Sequence, residues 1–318
     1  YPALRPATIY FAVGALRSGG TTQGDAVLIG AELATGNAAV DVSEFPAATR
    51  AFLARSFARD PLRQLLPLCV HEYVHTQENH YGYNVLSQAI YEGTCDFVTE
   101  LVTGQPLDLP YMQYGPAHEA ALKRRFRTEM FQPRFNRWFY NQESADPGHV
   151  ADLGYYMGYA ICRAYYRRAA DKQRALREMI ELDYTSAAAV EAFLARSGYY
   201  PARSLARFRA AYEARRPVVS GVTGLSGGQE TVAADLQEIT IVFSRPMAPY
   251  TSIDYGPGGT ATWPLQGRGV FAPDGRSVTY KVRLQPGRAY EFQVTDGGFR
   301  SAEGYPAVPR LVSFRTAP

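Results

Sequence analysis

Hydrophobic and polar positions change their rhythm along the chain. Near the start, Thr8-Ile9-Tyr10-Phe11-Ala12-Val13 is β-branched and aromatic and predicts a strand. Ala26-Val27-Leu28-Ile29-Gly30-Ala31 is a short apolar run that predicts a second, buried one. Between them, Arg17-Ser18-Gly19-Gly20-Thr21-Thr22 breaks the pattern as a loop. From Pro46 the period becomes helical. One helix starts at Pro46, and Asp60-Pro61 makes an N-cap and first-turn pair for the next. Pro67 begins or kinks the helix it enters. Gln77 to Tyr83 is a loop, and a helix from about Val85 to Thr103 is closed by Gly104. Ala117–Met130 and the tyrosine-rich Asp152–Ala169 follow, then Lys172–Leu182, Thr185–Arg196 and Ser204–Arg215, which are amphipathic or nearly so.

At Pro217 the helical period stops. Glu238–Phe243, Ser277–Val282, Tyr290–Val294 and Leu311–Phe314 read as strands, and Asp274-Gly275, Pro286-Gly287 and Asp296-Gly297-Gly298 separate them as turns. That spacing fits a β-sandwich. The expected architecture is multidomain: a mainly α (α+β) domain over residues 1–216, then an all-β sandwich over 217–318. The stretch Ile239-Thr240-Ile241-Val242-Phe243-Ser244-Arg245-Pro246-Met247 resembles bacterial Ig-like domains, as do Leu284-Gln285-Pro286-Gly287-Arg288-Ala289-Tyr290 and the closing Phe314-Arg315-Thr316. The resemblance implies a spacer or binding accessory outside the cytoplasm, with surface or glycan contact as its expected use.

Composition narrows the class. A hydrophobic fraction of 46% against 20% charged residues describes a globular chain and not a disordered one. The net charge of +3 is spread along the chain, and no basic stripe with interleaved aromatics marks a nucleic-acid partner. No apolar run is long enough for a membrane span. The chain begins at Tyr1 without a signal peptide, and a leader removed before that point is the expectation. Cys69, Cys95 and Cys162 lie in apolar helical patterns, form no disulfide framework and leave the compartment open.

The chemistry sits in Leu68-Cys69-Val70-His71-Glu72-Tyr73-Val74-His75. On a helix, His71 and His75 fall one turn apart on one face, a spacing at which two imidazoles share one tetrahedral zinc ion. Glu72 stands beside them as the base for a water on that metal. A third ligand is needed. A metzincin histidine would fall six residues after His75, behind a glycine; His80 comes five after, with Glu78 in the glycine's place, so that pattern is rejected. Glu92 and Asp96, four apart in Tyr91-Glu92-Gly93-Thr94-Cys95-Asp96-Phe97, share a helix face, so one can bind metal while the other holds a ligand histidine. Glu92, reached first and longer, is the expected ligand, and Asp96 the acceptor of an imidazole N–H, that of His71.

These two motifs are similar to those of the gluzincin metallopeptidases, the thermolysin-like clan, and of uncharacterised bacterial zinc-protease families whose second motif reads Glu-Gly-x-x-Asp-Phe. The resemblance implies a zinc metallopeptidase with His71, His75 and Glu92 as ligands, Glu72 as general base and Asp96 orienting a histidine. It also implies a role for Tyr83, nine residues before Glu92. Sixteen residues separate His75 from Glu92, a trimmed loop, and no match to the thermolysin histidine that stabilises the oxyanion is evident. For that role His149 and Gly154-Tyr155-Tyr156-Met157-Gly158-Tyr159 are candidates, with Tyr156 the chosen hydroxyl. In zinc peptidases an edge strand beside the metal helix pairs with an extended substrate, and either early strand is a candidate for it.

The resulting expectation is a secreted or periplasmic bacterial enzyme acting on a peptide or protein, with amide bonds of cell-wall peptides as a variant. The competing expectation is a surface or periplasmic binding protein with a structural or degenerate zinc site.

Overall fold

The computed structural model describes residues 4–16, 18–79, 81–142, 148–225 and 231–318. The chain divides into two compact units, Tyr1–Arg209 and Ala210–Pro318. The first mixes helices with a small sheet, and the second is built from sheets.

In the first unit, β1 (Thr8–Ala12), β2 (Gly20–Gln23) and β3 (Ala26–Gly30) form a sheet in the order β1-β3-β2. Strand β3 pairs parallel with β1 and antiparallel with β2. The stretch Arg17–Thr22, expected as a loop, enters β2 at Gly20; Arg17 itself lies outside the described residues. Its glycines read as a breaker, but Thr21 and Thr22 face Leu28 and Val27 across a tight hairpin. That turn needs a left-handed residue, and Gly24 supplies it at φ +61°. Val27 and Ile29 are fully buried against Leu65, Leu68 and Cys69.

After the single turn α1 (Ala31–Ala34) comes α2 (Ala47–Phe57). Asp60 does not cap a backbone N–H; its carboxylate accepts from Arg63 at 3.0 Å and leads a 3-10 turn. Helix α3 (Leu65–His75) begins there, with Pro67 in its first turn, where no intrahelical N–H is lost. Helix α4 (Val85–Thr103) starts at Asn84, which accepts the Ser87 N–H at 2.9 Å, and ends at left-handed Gly104. Every residue from Val85 to Thr99 is buried. Helix α5 (Pro110–Glu129) starts at Pro110 and not at Ala117, because Pro110 supplies its first turn and Pro116 is accommodated inside it. Helix α6 (Leu153–Arg168) packs on α4 and α5. A Cβ on Gly158 would run into the Ala89 carbonyl, so this glycine and Gly93 allow the two backbones to touch. Helices α7 (Lys172–Ile180), α8 (Ala187–Ser197) and α9 (Leu205–Glu213) follow, the last running across the division between units.

The second unit contains β4 (Val219–Thr223), β5 (Thr231–Val232), β6 (Glu238–Phe243), β7 (Ile253–Tyr255), β8 (Leu265–Phe271), β9 (Ser277–Val282), β10 (Ala289–Val294) and β11 (Arg310–Thr316). They form two sheets, β4-β6-β9-β8 and β5-β11-β10-β7, antiparallel except for the β5–β11 pair. Alternate residues Ile239, Ile241 and Phe243 of one sheet share a core with Tyr290, Phe292 and Val294 of the other. Among the described residues no helix is long and apolar enough to cross a membrane.

Candidate metal centre

Helix α3 presents His71 and His75 to α4, and the two rings lie edge to face with centroids 4.9 Å apart. Their Nε2 atoms converge on one oxygen: Glu92 Oε2 is 3.3 Å from His71 Nε2 and 3.1 Å from His75 Nε2. The other carboxylate oxygen is held away from the rings. Gln88, one turn earlier on α4, donates to Glu92 Oε1 at 2.8 Å, and the Tyr140 hydroxyl donates to it at 3.1 Å. Glu92 is therefore fixed with one oxygen toward both imidazoles.

Each imidazole has a carboxylate at its far nitrogen. His71 Nδ1 lies 2.9 Å from Asp96 Oδ1, and Tyr111 donates to Asp96 Oδ2 at 3.0 Å. His75 Nδ1 lies 2.7 Å from Glu78 Oε2, and the Tyr184 hydroxyl is 3.2 Å from Glu78 Oε1. A carboxylate at Nδ1 holds a proton there, so that a metal replacing the proton at Nε2 would meet the tautomer it requires.

The electrostatics follow from crowding four carboxylates around two imidazoles. Burial on its own favours neutral His71, but hydrogen bonds to Asp96 and Glu92 reverse this and hold its pKa well above the usual value. Burial likewise opposes charge on His75, yet Glu92 and Glu78 push it up to about 9. Glu92 is raised by burial but lowered more strongly by the two imidazoles, and ends well below the carboxylate range. In the absence of a metal, protons on the imidazoles balance the acids; the donor set fits a cation.

Glu72 is buried, and its carboxylate lies against β2 where Gly20 leaves room; a Cβ there would collide with it. Burial raises its pKa, with Glu92 adding to this and the imidazoles opposing it. Of the sheet, it is β2 that reaches Glu72. Strand β1 is the far edge and β3 is paired on both sides, so neither strand named from the sequence is the edge beside the metal helix. At the end of β2, Thr22, Gly24, Asp25, His75, Tyr81 and Tyr91 border a cleft of about 420 Å³.

The structure thus brings His71, Glu72, His75, Glu92 and Asp96 together. Three other candidates, Tyr156, Tyr83 and His149, lie elsewhere. Tyr156 is fully buried against Gly115 and its hydroxyl donates to Glu119 at 3.1 Å. Tyr155, the next position round the helix, is the tyrosine that reaches His71, at 6.1 Å between centroids. Tyr83 is 39% exposed, and its hydroxyl is engaged by Asn84 and Arg209. The tyrosine whose hydroxyl reaches Glu92 is Tyr140, from the segment before α6 with φ +56°. It is tied by its N–H to Asp152 Oδ1 at 2.7 Å, and Asp152 is itself left-handed at φ +60°. His149 is exposed, with Nε2 on the Asn141 carbonyl at 3.0 Å, and His80 lies outside the described residues. Glu78, Gln88 and Tyr140 had no motif to announce them.

Cys95 adds a further donor, since His71, His75 and Cys95 have ligand atoms within 4.8 Å of one another and could hold a metal ion. Its sulfur, however, lies 3.2 Å from His75 Nδ1, the nitrogen turned away from Glu92. Burial and the surrounding carboxylates push its thiol well up in the metal-free protein. The sulfur lies on the far side of the His75 ring from the point where the two Nε2 atoms meet at Glu92. Cys69, Cys95 and Cys162 are all free thiols.

No family model matches the chain, and no curated protein does. Among solved structures, CopC from Methylosinus trichosporium OB3b aligns with 32% of this chain and 95% of its own at 19% identity and a TM-score of 0.25. Domains 1–6 of the surface layer protein SbsC align with 90% of this chain at 14% identity and a TM-score of 0.25, and this chain spans 44% of their length. The N-terminal part of the bacterial S-layer protein SbsC aligns with 87% of this chain and 66% of its own at 12% identity and a TM-score of 0.25. Likenesses at this level say nothing about activity.

Proposed function

We propose that the first unit is a zinc-dependent metallopeptidase domain of the gluzincin kind, and that the second is an Ig-like accessory module of a secreted or cell-surface bacterial protein. The observation that carries the reading is the convergence of His71 Nε2 and His75 Nε2 on one oxygen of Glu92, with the Glu72 carboxylate beside them and outside that set. Two imidazole nitrogens, one carboxylate oxygen and an adjacent free acid are the donors of a catalytic zinc site, whereas a closed structural site has no use for the acid.

When bound, zinc supplies a Lewis acid that acidifies water and polarises a carbonyl. Glu72 takes the proton of the attacking water and returns it to the leaving amine; burial raises its pKa and makes it a stronger base than a surface carboxylate. Tyr140, 57% exposed, donates its hydroxyl to Glu92, and by turning that O–H from Glu92 it could serve a substrate carbonyl, in place of Tyr156. The outer edge of β2 beside Glu72 offers backbone N–H and C=O groups to an extended peptide, and the cleft at its end offers room for a side chain.

Metal analysis combined with digestion of a peptide library tests this. The full chain should hold one zinc and cleave peptides. Chelation should stop cleavage and zinc should restore it. Glu72→Gln should keep its zinc while cleavage falls by roughly 10²–10⁴-fold. A full complement of zinc with no cleavage of any peptide turns the reading to a binding protein with a degenerate site.

A further inference from the structure

His71 and His75 receive their carboxylates by different routes. Asp96 reaches His71 from α4, a rigid buried helix. Glu78 reaches His75 from only three residues away, beyond the end of α3. The side chain returns to the ring from a turn closed by Gln77 N–H on the Val74 carbonyl at 2.8 Å and Glu78 N–H on the His75 carbonyl at 3.3 Å, and Arg5 clasps that turn from outside. Its guanidinium donates to the Thr76 carbonyl at 2.5 Å and to the Glu78 carbonyl at 3.3 Å. Its backbone N–H donates to Gln77 Oε1 at 2.7 Å, and its carbonyl accepts from Gln77 Nε2 at 3.0 Å and from the Tyr73 hydroxyl at 2.8 Å. On the inner side, Tyr184 lies 3.2 Å from Glu78 Oε1 and 2.8 Å from the Met179 carbonyl, and it is fully buried.

We propose that Glu78 is a positioning residue of the metal site, fixing His75 with its proton on Nδ1 and its Nε2 lone pair toward the metal, and that Arg5 is the clasp that keeps Glu78 there. This rests on the metal-site reading above. Without Glu78, the neighbour left at Nδ1 is the Cys95 sulfur at 3.2 Å, a weak acceptor that neither selects the tautomer nor anchors the ring. Glu78 is not a metal ligand in this assignment; it acts through His75, and it and Arg5 also line the cleft at the end of β2.

The test is zinc titration of the full chain against a chromophoric chelator, joined to long-range nitrogen–proton NMR of the zinc-loaded histidines. Wild type, Glu78→Ala, Glu78→Gln and Arg5→Ala are compared. Wild type should show His75 bound through Nε2 with a slowly exchanging Nδ1 proton. Glu78→Ala should lose ~10–100-fold in zinc affinity and lose that proton signal. Glu78→Gln can still turn an oxygen to Nδ1 and its amide to Tyr184, so it should retain the signal and most of the affinity. Arg5→Ala should weaken zinc in the same direction by less than Glu78→Ala. Thermal unfolding of the metal-free variants separates a packing role: lowered stability with unchanged affinity and tautomer overturns the proposal. His75 bound through Nδ1 in wild type overturns it even if Glu78→Ala does not fold. If wild type holds no zinc, the metal-site reading itself falls, a failure visible before any variant is compared.

Discussion

Helix α4 and the core of the second unit are buried to the same degree with opposite chemistry. In the β unit, Ile239, Ile241, Phe243, Phe292, Val294 and Phe299 form an apolar cluster in which Tyr280 and Tyr290 carry the polar groups. In α4, Ser87, Gln88, Glu92, Thr94, Asp96 and Thr99 are buried in one unbroken stretch with Ile90 and Phe97. Burying a polar group without a partner costs about 1–3 kcal/mol, and a charge more. The apolar core explains its own stability. The polar helix is tolerable only because α3 supplies imidazoles, the segments around α5 and α6 supply Tyr111 and Tyr140, and Tyr184 backs Glu78. Burial raises the pKa of Glu72 and of Glu78, whereas the imidazoles hold Glu92 low, so the acids of this helix pair differ in how readily they ionise.

Exchanging one side chain in each region separates a core kept for stability from one kept for chemistry. Glu92→Ala leaves two histidines and should abolish tight zinc binding while the β unit unfolds as before. Phe292→Ala should destabilise the β unit by about 3–5 kcal/mol and leave zinc affinity unchanged. Asp96→Ala, which removes only the anchor of His71, should still bind zinc ~10–100-fold more weakly. Chelator competition and thermal unfolding measured on the same samples check all three. If Asp96→Ala is the variant that cannot hold metal, Glu92 and Asp96 exchange roles.

The smallest effect is on pH. In the metal-free protein the His75 pKa is raised to about 9, so its charge stabilises the folded state fully below the ordinary imidazole value of 6.5. That stabilisation is lost as pH rises through 9. Glu92 acts in the opposite sense: lowered from 4.5, it contributes above that value and loses its contribution as acid protonates it. Between pH 6.5 and 9 the metal-free first unit should weaken by up to about 1.4 kcal/mol per pH unit for the His75 proton. Zinc, occupying the same lone pair, should remove that slope. Denaturant unfolding with and without zinc reads it directly, and the β unit serves as the control.

The parts of the site legible in the sequence are those carried by one helical period. His71, Glu72 and His75 share a turn, and Glu92 and Asp96 share another, so spacing alone puts each set on a face. The elements that escaped depend on longer-range geometry. Glu78 counts as a loop residue until the turn that Arg5 clasps brings it to His75. Tyr140 is aimed by a left-handed backbone that Asp152 holds from the far end of the segment. Tyr155 and Tyr156 are neighbours in sequence but about 100° apart around α6, and composition cannot choose between them. Strand β2 was hidden by Gly19-Gly20, because its pairing with β3 is set by the hairpin at Gly24 and its closeness to Glu72 by the absence of a side chain at Gly20. In the β unit, β6, β9, β10 and β11 were readable, whereas β4 and β8, whose pairing shifts register along the strand, and the two-residue β5 and three-residue β7 were not.

X-ray absorption at the zinc edge of the loaded full chain tests the central assignment most directly. His71, His75 and Glu92 as ligands predict two imidazole nitrogens and oxygen scatterers, all at ~2.0–2.2 Å, and no sulfur. A sulfur shell at ~2.3 Å would place Cys95 on the metal in place of Glu92 and contradict the account.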